Sequence, residues 1–348
     1  MEFLAHIDSE NNERVQTVIE HLTNVASMAG DFAAAFGDRA AGETVGRYHD
    51  IGKYSAEFQK RIRGESNKRV DHSTAGAKEL FALAQEHKTV LHLLAAYCVA
   101  GHHGGLNTGG TKFDSAEDNT FLARMKRTVP DYAAYKTEFM WQTSSAESLV
   151  LSKVNEVAKF AAKNIPMGET SRAFMNGIKQ RAAFSLMFYT RMLFSCLVDA
   201  DFLDTENFMS GGATGRGNFA AMTTLQSRLT QHVKTHFLDE DKPQYDTPIN
   251  KKRREILREC LQFADQAAGL FSLTVPTGGG KTVASLAFAV NHAIAHKKRR
   301  IIYVIPYTSI IEQTATVFHG IVGEENVIEH HSNVKYRDGI DEYGTRCW

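Results

Sequence analysis

"YHDIGKY", residues 48–54, sets a histidine and an aspartate side by side, then a glycine and a lysine, inside an otherwise helical pattern. An imidazole is a nitrogen donor suited to transition metals, and a carboxylate can bridge two of them. Neighbouring side chains leave a helix in different directions, so His49 and Asp50 cannot complete a metal shell alone. Further donors must come from elsewhere, and candidates follow in order along the chain. His21 lies in "VIEHLTNVA", on or near an apolar helix face. His72 sits in "VDHSTAGA", where Ser73 and the small residues suggest a helix start, and His102 and His103 form the pair in "AGHHGGL". Asp199 and Asp201 lie in "CLVDADFLDTE", at the end of a strongly apolar helix. Taken singly, each has an ordinary explanation: a satisfied core histidine, a loop pair, a solvated helix end. The series as a whole is far more specific than its members.

Around this stretch the pattern is helical. Val15, Val18, Ile19, Leu22, Val25, Met28 and Ala29 recur at helical spacing over 13–36, and 71–101, 145–163 and 172–203 are similar runs rich in Ala, Leu, Met and Phe. No convincing alternating strand precedes about residue 270, which predicts an all-helical first domain. "SGGATGRGN" (210–218) is a glycine-rich break, followed by a polar helix around 219–238 and by "DEDKPQYDTPINKKRRE" (239–255), which reads as linker. From 270 the composition changes. "LFSLTVP" (270–276) and "RIIYVIP" (300–306) are short β-branched runs flanking a helical pattern from Thr282 to His296. Strand, glycine loop, helix, strand is a βαβ unit of a parallel sheet. Two parallel strands cannot bury their own faces, so this segment is expected to be the start of a larger domain.

The chain of 348 residues is long enough for two domains, and its 43% hydrophobic and 23% charged content is ordinary for a globular protein. Lys plus Arg equals Asp plus Glu, 40 each, so net charge gives no hint of a polyanionic partner, although a local basic groove needs none. Cys98, Cys196, Cys260 and Cys347 are widely separated, which argues against a disulfide framework or a cysteine zinc site. The N-terminus is polar, unlike a signal peptide. "FSLMFYTRMLFSCLV" is interrupted by Arg191, so no membrane partner is expected and a cytoplasmic location is.

"TVPTGGGKT", 274–282, places a glycine-rich turn between a strand and a helix. Backbone N–H groups from Thr277 through Gly278, Gly279 and Gly280 would cradle phosphates at the helix N-terminus; Lys281 would reach the β- and γ-phosphates and the Thr282 hydroxyl would bind magnesium, giving a Mg-ATP site. Val275 stands where the strict phosphate-loop pattern has its first glycine, and the form "PTG" before "GKT" resembles motif I of superfamily two helicases. "YVIPYTSIIEQTA" (303–315) resembles their next motif, which makes Thr308 and Ser309 candidate DNA contacts; the same residues also read as the N-cap of a helix from Ile310. "KKRR" at 251–254 precedes the loop, where helicases place adenine-recognition residues, and "KKRR" at 297–300 reads as a solvated helix end.

The order H…HD…H…HH…D across residues 1–210 resembles the HD superfamily of metal-dependent phosphohydrolases, and its nuclease subset in particular. That resemblance implies one ion on His21, His49, Asp50 and Asp201, and a second on Asp50, His72, His102 and His103. Asp201 is preferred to Asp199 because "AD" followed by an apolar turn is the usual form of the last motif. Lys53 would supply positive charge to the scissile phosphate; outside this context it would be an exposed helix lysine.

Joined in this order, the two halves resemble the CRISPR-associated nuclease-helicases of type I interference, with "SLTVPTGGGKT" and "LVDADFLDTE" closest to the subtype C branch. The organisation implied is an HD nuclease domain over 1–210, a linker and connecting helix over 211–250, and a partial RecA-like α/β helicase domain over 251–348. The family implies cleavage of single-stranded DNA on the displaced strand of an R-loop, recruitment by the Cascade complex, manganese, iron, nickel or cobalt in the HD site, and inhibition by phage anti-CRISPR proteins. No acidic DEAD-like motif or later arginine motif follows within these residues, so unwinding is expected of a longer chain only. Two rivals remain: an HD nucleotide phosphohydrolase with a sensing phosphate loop, and a non-catalytic DNA-binding fragment with a structural metal.

Overall fold

In the computed structural model, which describes residues 2–8, 14–87, 89–138, 171–212, 219–238 and 243–331, the chain divides into two units, Met1–Thr214 and Gly215–Trp348. The helix expected over 145–163, Cys347 and most of the glycine-rich break lie outside the described residues.

The first unit opens with an antiparallel hairpin. Strand β1 (Leu4–Ile7) pairs with β2 (Val15–Thr17), with His6 opposite Gln16 and a bulge between Leu4 and His6. This corrects the expectation that no strand precedes residue 270 and that a helix runs from residue 13. Strands of four and three residues are too short to show alternation. Helix α1 (Val18–Ala34) starts at a capping box. The Thr17 hydroxyl accepts from the Glu20 N–H, and the Glu20 carboxylate accepts from the Thr17 N–H at 3.0 Å.

Helix α2 (Arg39–Tyr48), a 3₁₀ turn (Ile51–Tyr54) and α3 (Ala56–Ile62) follow. The run 71–101 is two helices, α4 (Ser73–His87) and α5 (Val90–Gly101). The unit continues with α6 (Phe121–Lys126), α7 (Tyr135–Glu138) and the long α8 (Ser171–Met209).

Val25, Ala29, Val45, Leu80, Leu91, Ala95, Leu193 and Leu197 meet in one core built from α1, α2, α4, α5 and α8. Small residues bring these helices very close. A Cβ on Gly42 would fall 2.2 Å from the Ala29 carbonyl oxygen, and one on Gly76 1.7 Å from that of Tyr48. By length and composition Ala183–Met209 of α8 is apolar enough to cross a bilayer. Here its Leu193, Leu197 and Ala200 are buried in the core.

The second unit has its own core. Helix α9 (Met222–Val233) packs Leu225, Leu229 and Val233 against α10 (Pro248–Phe263), α11 (Lys281–Ala295) and α12 (Thr308–Val322), where Leu257, Cys260, Ala287, Val290, Phe318 and Ile321 lie buried. Helix α10 begins inside the stretch expected as linker, capped by the Thr247 hydroxyl and with Pro248 in its first turn. The runs 270–276 and 300–306 flank α11 in the expected order. Among the described residues no backbone hydrogen bond joins them, and Ile302 and Val304 are 83% and 90% exposed. The expected strand ladder is therefore not formed: a parallel strand gains stability only when neighbours cover its edges and faces.

Candidate metal centre and phosphate loop

Every side chain of the H…HD…H…HH…D series converges on Asp50. His21 comes from the middle of α1, His49 and Asp50 from the end of α2, and His72 from just before α4. His102 and His103 follow the last turn of α5, and Asp201 lies in α8. The donors form two groups: His21, His49, Asp50 and Asp201; and Asp50, His72, His102 and His103. Asp199 belongs to neither.

The two oxygens of Asp50 face different groups. Oδ2 lies 3.6 Å from His21 Nε2 and 3.5 Å from His49 Nε2, whereas Oδ1 lies 3.2 Å from His102 Nε2 and 3.5 Å from His72 Nε2. Donors bound to one ion at about 2.1 Å stand roughly 3.0–3.4 Å apart. Both Asp50 oxygens and His102 Nε2 are buried without a hydrogen-bond partner, which is costly unless a cation satisfies them.

The other ring nitrogen of His21, His49, His72 and His102 is already engaged. Nδ1 of His49 lies 2.8 Å from the Gly46 carbonyl oxygen and that of His102 2.8 Å from the Val99 carbonyl oxygen. Nδ1 of His72 lies 3.2 Å from the Val70 carbonyl oxygen, and that of His21 2.7 Å from Asp204 Oδ2. An oxygen acceptor at Nδ1 places the proton there and turns the Nε2 lone pair inward, as metal-bound histidines require. His103 is the open side of the site, with 52% of its side chain exposed. The glycine of "HDIGKY" has a packing reason: a Cβ on Gly52 would fall 2.2 Å from the His72 carbonyl oxygen.

Burial works to raise the Asp50 carboxyl, but Lys53, His49 and His72 hold it well below the usual carboxylate range. Burial likewise works to lower His21, yet Asp201, Asp204 and Asp50 raise it to about 9 in the metal-free protein. His103 is lowered to about 4 by burial and by neighbouring His102.

Lys53 is not an exposed helix lysine. It sits buried in the 3₁₀ turn, its Nζ 2.8 Å from Asp50 Oδ2. Three residues that sequence reasoning missed connect Lys53 to His21. Asp204, one turn beyond Asp201 on α8, is 4% exposed and takes Nδ1 of His21, the Gln16 amide at 2.8 Å and the Asn24 amide at 2.9 Å. His6 lies between Gln16 and Lys53, and burial and Lys53 lower it to about 4. The spacing of Asp201 and Asp204, which puts both on one helix face, was the available signal for Asp204. His6 and Gln16 gave none, because only the hairpin register brings them in.

In the second unit, Gly278 and Gly280 take the left-handed backbone conformation, with φ of +84° and +81°, and turn the chain into the N-terminus of α11. Gly279 packs so tightly that a Cβ would fall 2.4 Å from Val275 Cγ1. Lys281 and Thr282 open the helix behind this turn. Arg253, from the first "KKRR", donates from Nε and Nη2 to the Gly278 carbonyl at 3.0 and 2.8 Å. Thr308 and Ser309 form the first turn of α12. Its N-cap is Tyr307, and no side chain caps that end, which corrects the N-cap expectation for the pair.

Comparison with known proteins agrees with this division. Residues 18–133 match the HD domain family, and residues 246–342 match "Type III restriction enzyme, res subunit". The HD match thus falls in the helical first unit, and the phosphate loop lies inside the second match. The chain is 24% identical over 300 residues to "CRISPR-associated nuclease/helicase Cas3" of Haloferax volcanii, covering 78% of this chain and 31% of the relative. Among solved structures it is similar to T. fusca Cas3 (18% identity, TM-score 0.38, 92% of this chain and 37% of that one) and Cas3-ATP (17%, 0.40, 100% and 41%). The chain spans about a third of the length of the curated relative it matches.

Proposed function

We propose that the HD unit is a metal-dependent endonuclease for single-stranded DNA. In a longer chain an ATP-driven helicase would feed it the displaced strand of an R-loop, after recruitment by the Cascade complex of type I CRISPR interference. The observation that carries this reading is the pair of donor sets sharing Asp50, with imidazole lone pairs turned inward. Such a histidine-rich shell suits manganese, iron, nickel or cobalt. When bound, two such ions lower the pKa of a shared water and neutralise charge on a phosphodiester.

Asp50 bridges the two sets, while His21, His49 and Asp201 hold one side and His72, His102 and His103 the other. The Lys53 ammonium, held at Asp50, offsets charge on the phosphate or the leaving oxygen. The strand enters past half-exposed His103. In the second unit, Thr277 to Thr282 would bind Mg-ATP, and Thr308 and Ser309 would contact the DNA backbone.

Circular single-stranded DNA tests the nuclease reading, because it has no ends. Incubated with manganese or nickel, the protein is expected to linearise it, and Asp50→Ala to abolish the cut. Hydrolysis of mononucleotides with the circle intact would favour the phosphohydrolase. A melting temperature that responds to metal without any turnover would favour a structural ion.

A further inference from the structure

Three side chains link Lys53 to His21 around the back of the candidate metal centre. Lys53 Nζ lies 3.3 Å from His6 Nε2; His6 Nδ1 lies 2.7 Å from Gln16 Oε1; Gln16 Nε2 donates to Asp204 Oδ2 at 2.8 Å; and the same Asp204 oxygen takes Nδ1 of His21 at 2.7 Å. The direction of every bond is fixed. The Asp204 carboxylate accepts only, so the Gln16 amide nitrogen faces it and the Gln16 carbonyl faces His6. His6 therefore carries its proton on Nδ1 and presents the Nε2 lone pair to Lys53. Register holds the ring there: His6 stands opposite Gln16 in the hairpin. Gln59 ties that strand to the lysine turn, accepting from the Leu4 N–H and donating to the Leu4 and Lys53 carbonyls at 2.9, 2.9 and 2.8 Å.

We propose that His6 is a positioning residue for the nuclease reaction: its Nε2 lone pair holds the Lys53 ammonium at Asp50, so that the charge is in place before the phosphodiester arrives. The inference rests on the nuclease reading given above. Lys53 has four rotatable bonds, and the ion pair with Asp50 lacks the angle of a hydrogen bond, so Asp50 alone does not fix its direction. His6 supplies the second, oriented contact.

Two isosteric changes separate this role from a structural one. In His6→Gln the amide oxygen reaches about as far as Nε2 and still accepts from Lys53. In His6→Asn the amide reaches only as far as Nδ1, which keeps the Gln16 contact and leaves Lys53 without its acceptor. For manganese-loaded protein cutting circular single-stranded DNA, His6→Asn is expected to lower kcat about 10–100-fold with KM and bound manganese unchanged. His6→Gln should stay within about threefold of the parent on the same argument. Equal losses in both variants, or a loss that tracks missing manganese, would overturn the proposal.

A second readout needs no turnover: the rate at which acetic anhydride modifies Lys53, followed by mass spectrometry. It should rise in His6→Asn and not in His6→Gln; equal rates in all three proteins count against the contact. A parent protein that cuts no DNA defeats the nuclease reading instead, and the labelling still decides whether His6 positions Lys53.

Discussion

Asp50 concentrates the chemistry of the first unit because it is buried, ionised and shared. A carboxylate in that position is tolerable only among cations, and Lys53 and a protonated His21 provide them in the metal-free protein. The proton on His21 is part of that compensation, and its sign gives a prediction. The folded value, about 9, lies above the ordinary 6.5. Its contribution to stability is therefore fully present below pH 6.5 and is lost as pH rises through 9. The metal-free HD unit should melt progressively lower over that window, and manganese should bind more tightly, because it displaces the proton. Melting curves with and without manganese across the range check both; a flat metal-free midpoint would contradict the assignment. The ligand types were legible in the sequence, since histidines and aspartates with few apolar uses stand out. His6, Gln16 and Asp204 were not, because their roles come from whom they touch.

At the scale of elements, the site depends on how closely helices approach. Gly76 of α4 packs on the carbonyl of Tyr48, the residue that ends α2 and precedes His49 and Asp50. Gly76→Ala must push α4 from that carbonyl, and is expected to cost about 1–3 kcal/mol by overpacking. Denaturant titration should show a lower midpoint at unchanged slope, and metal binding should weaken as well. An unaltered midpoint would mean that the helices yield without strain. Helices were easy to read because their apolar period repeats over many residues. The opening hairpin was missed because a three-residue partner carries no period. The strands around the phosphate loop erred the other way: "LFSLTVP" and "RIIYVIP" have strand composition, but a ladder needs neighbours that composition cannot supply.

At the scale of the whole molecule, two separate cores divide the chain, and among the described residues the candidate metal centre lies in the first. Manganese should therefore raise one unfolding transition, by about 2.7 kcal/mol at a hundred times its Kd, and leave the other unmoved. Calorimetry of the parent and of Asp50→Ala tests this, with the shift expected only in the parent; a shift of both transitions would show that the units unfold together. The sequence by itself determined the order of the two units, the residue types of the metal series and the glycine turn before α11, because each is written in local spacing and side-chain chemistry. Only the tertiary structure decided that Asp50 stands between two donor sets, that Asp201 rather than Asp199 joins them, and that His6, Gln16 and Asp204 brace Lys53 and His21 from behind. Those facts depend on contacts between α1, α2, α5, α8 and the hairpin, and a contact across nearly two hundred residues leaves no mark on the spacing of either partner.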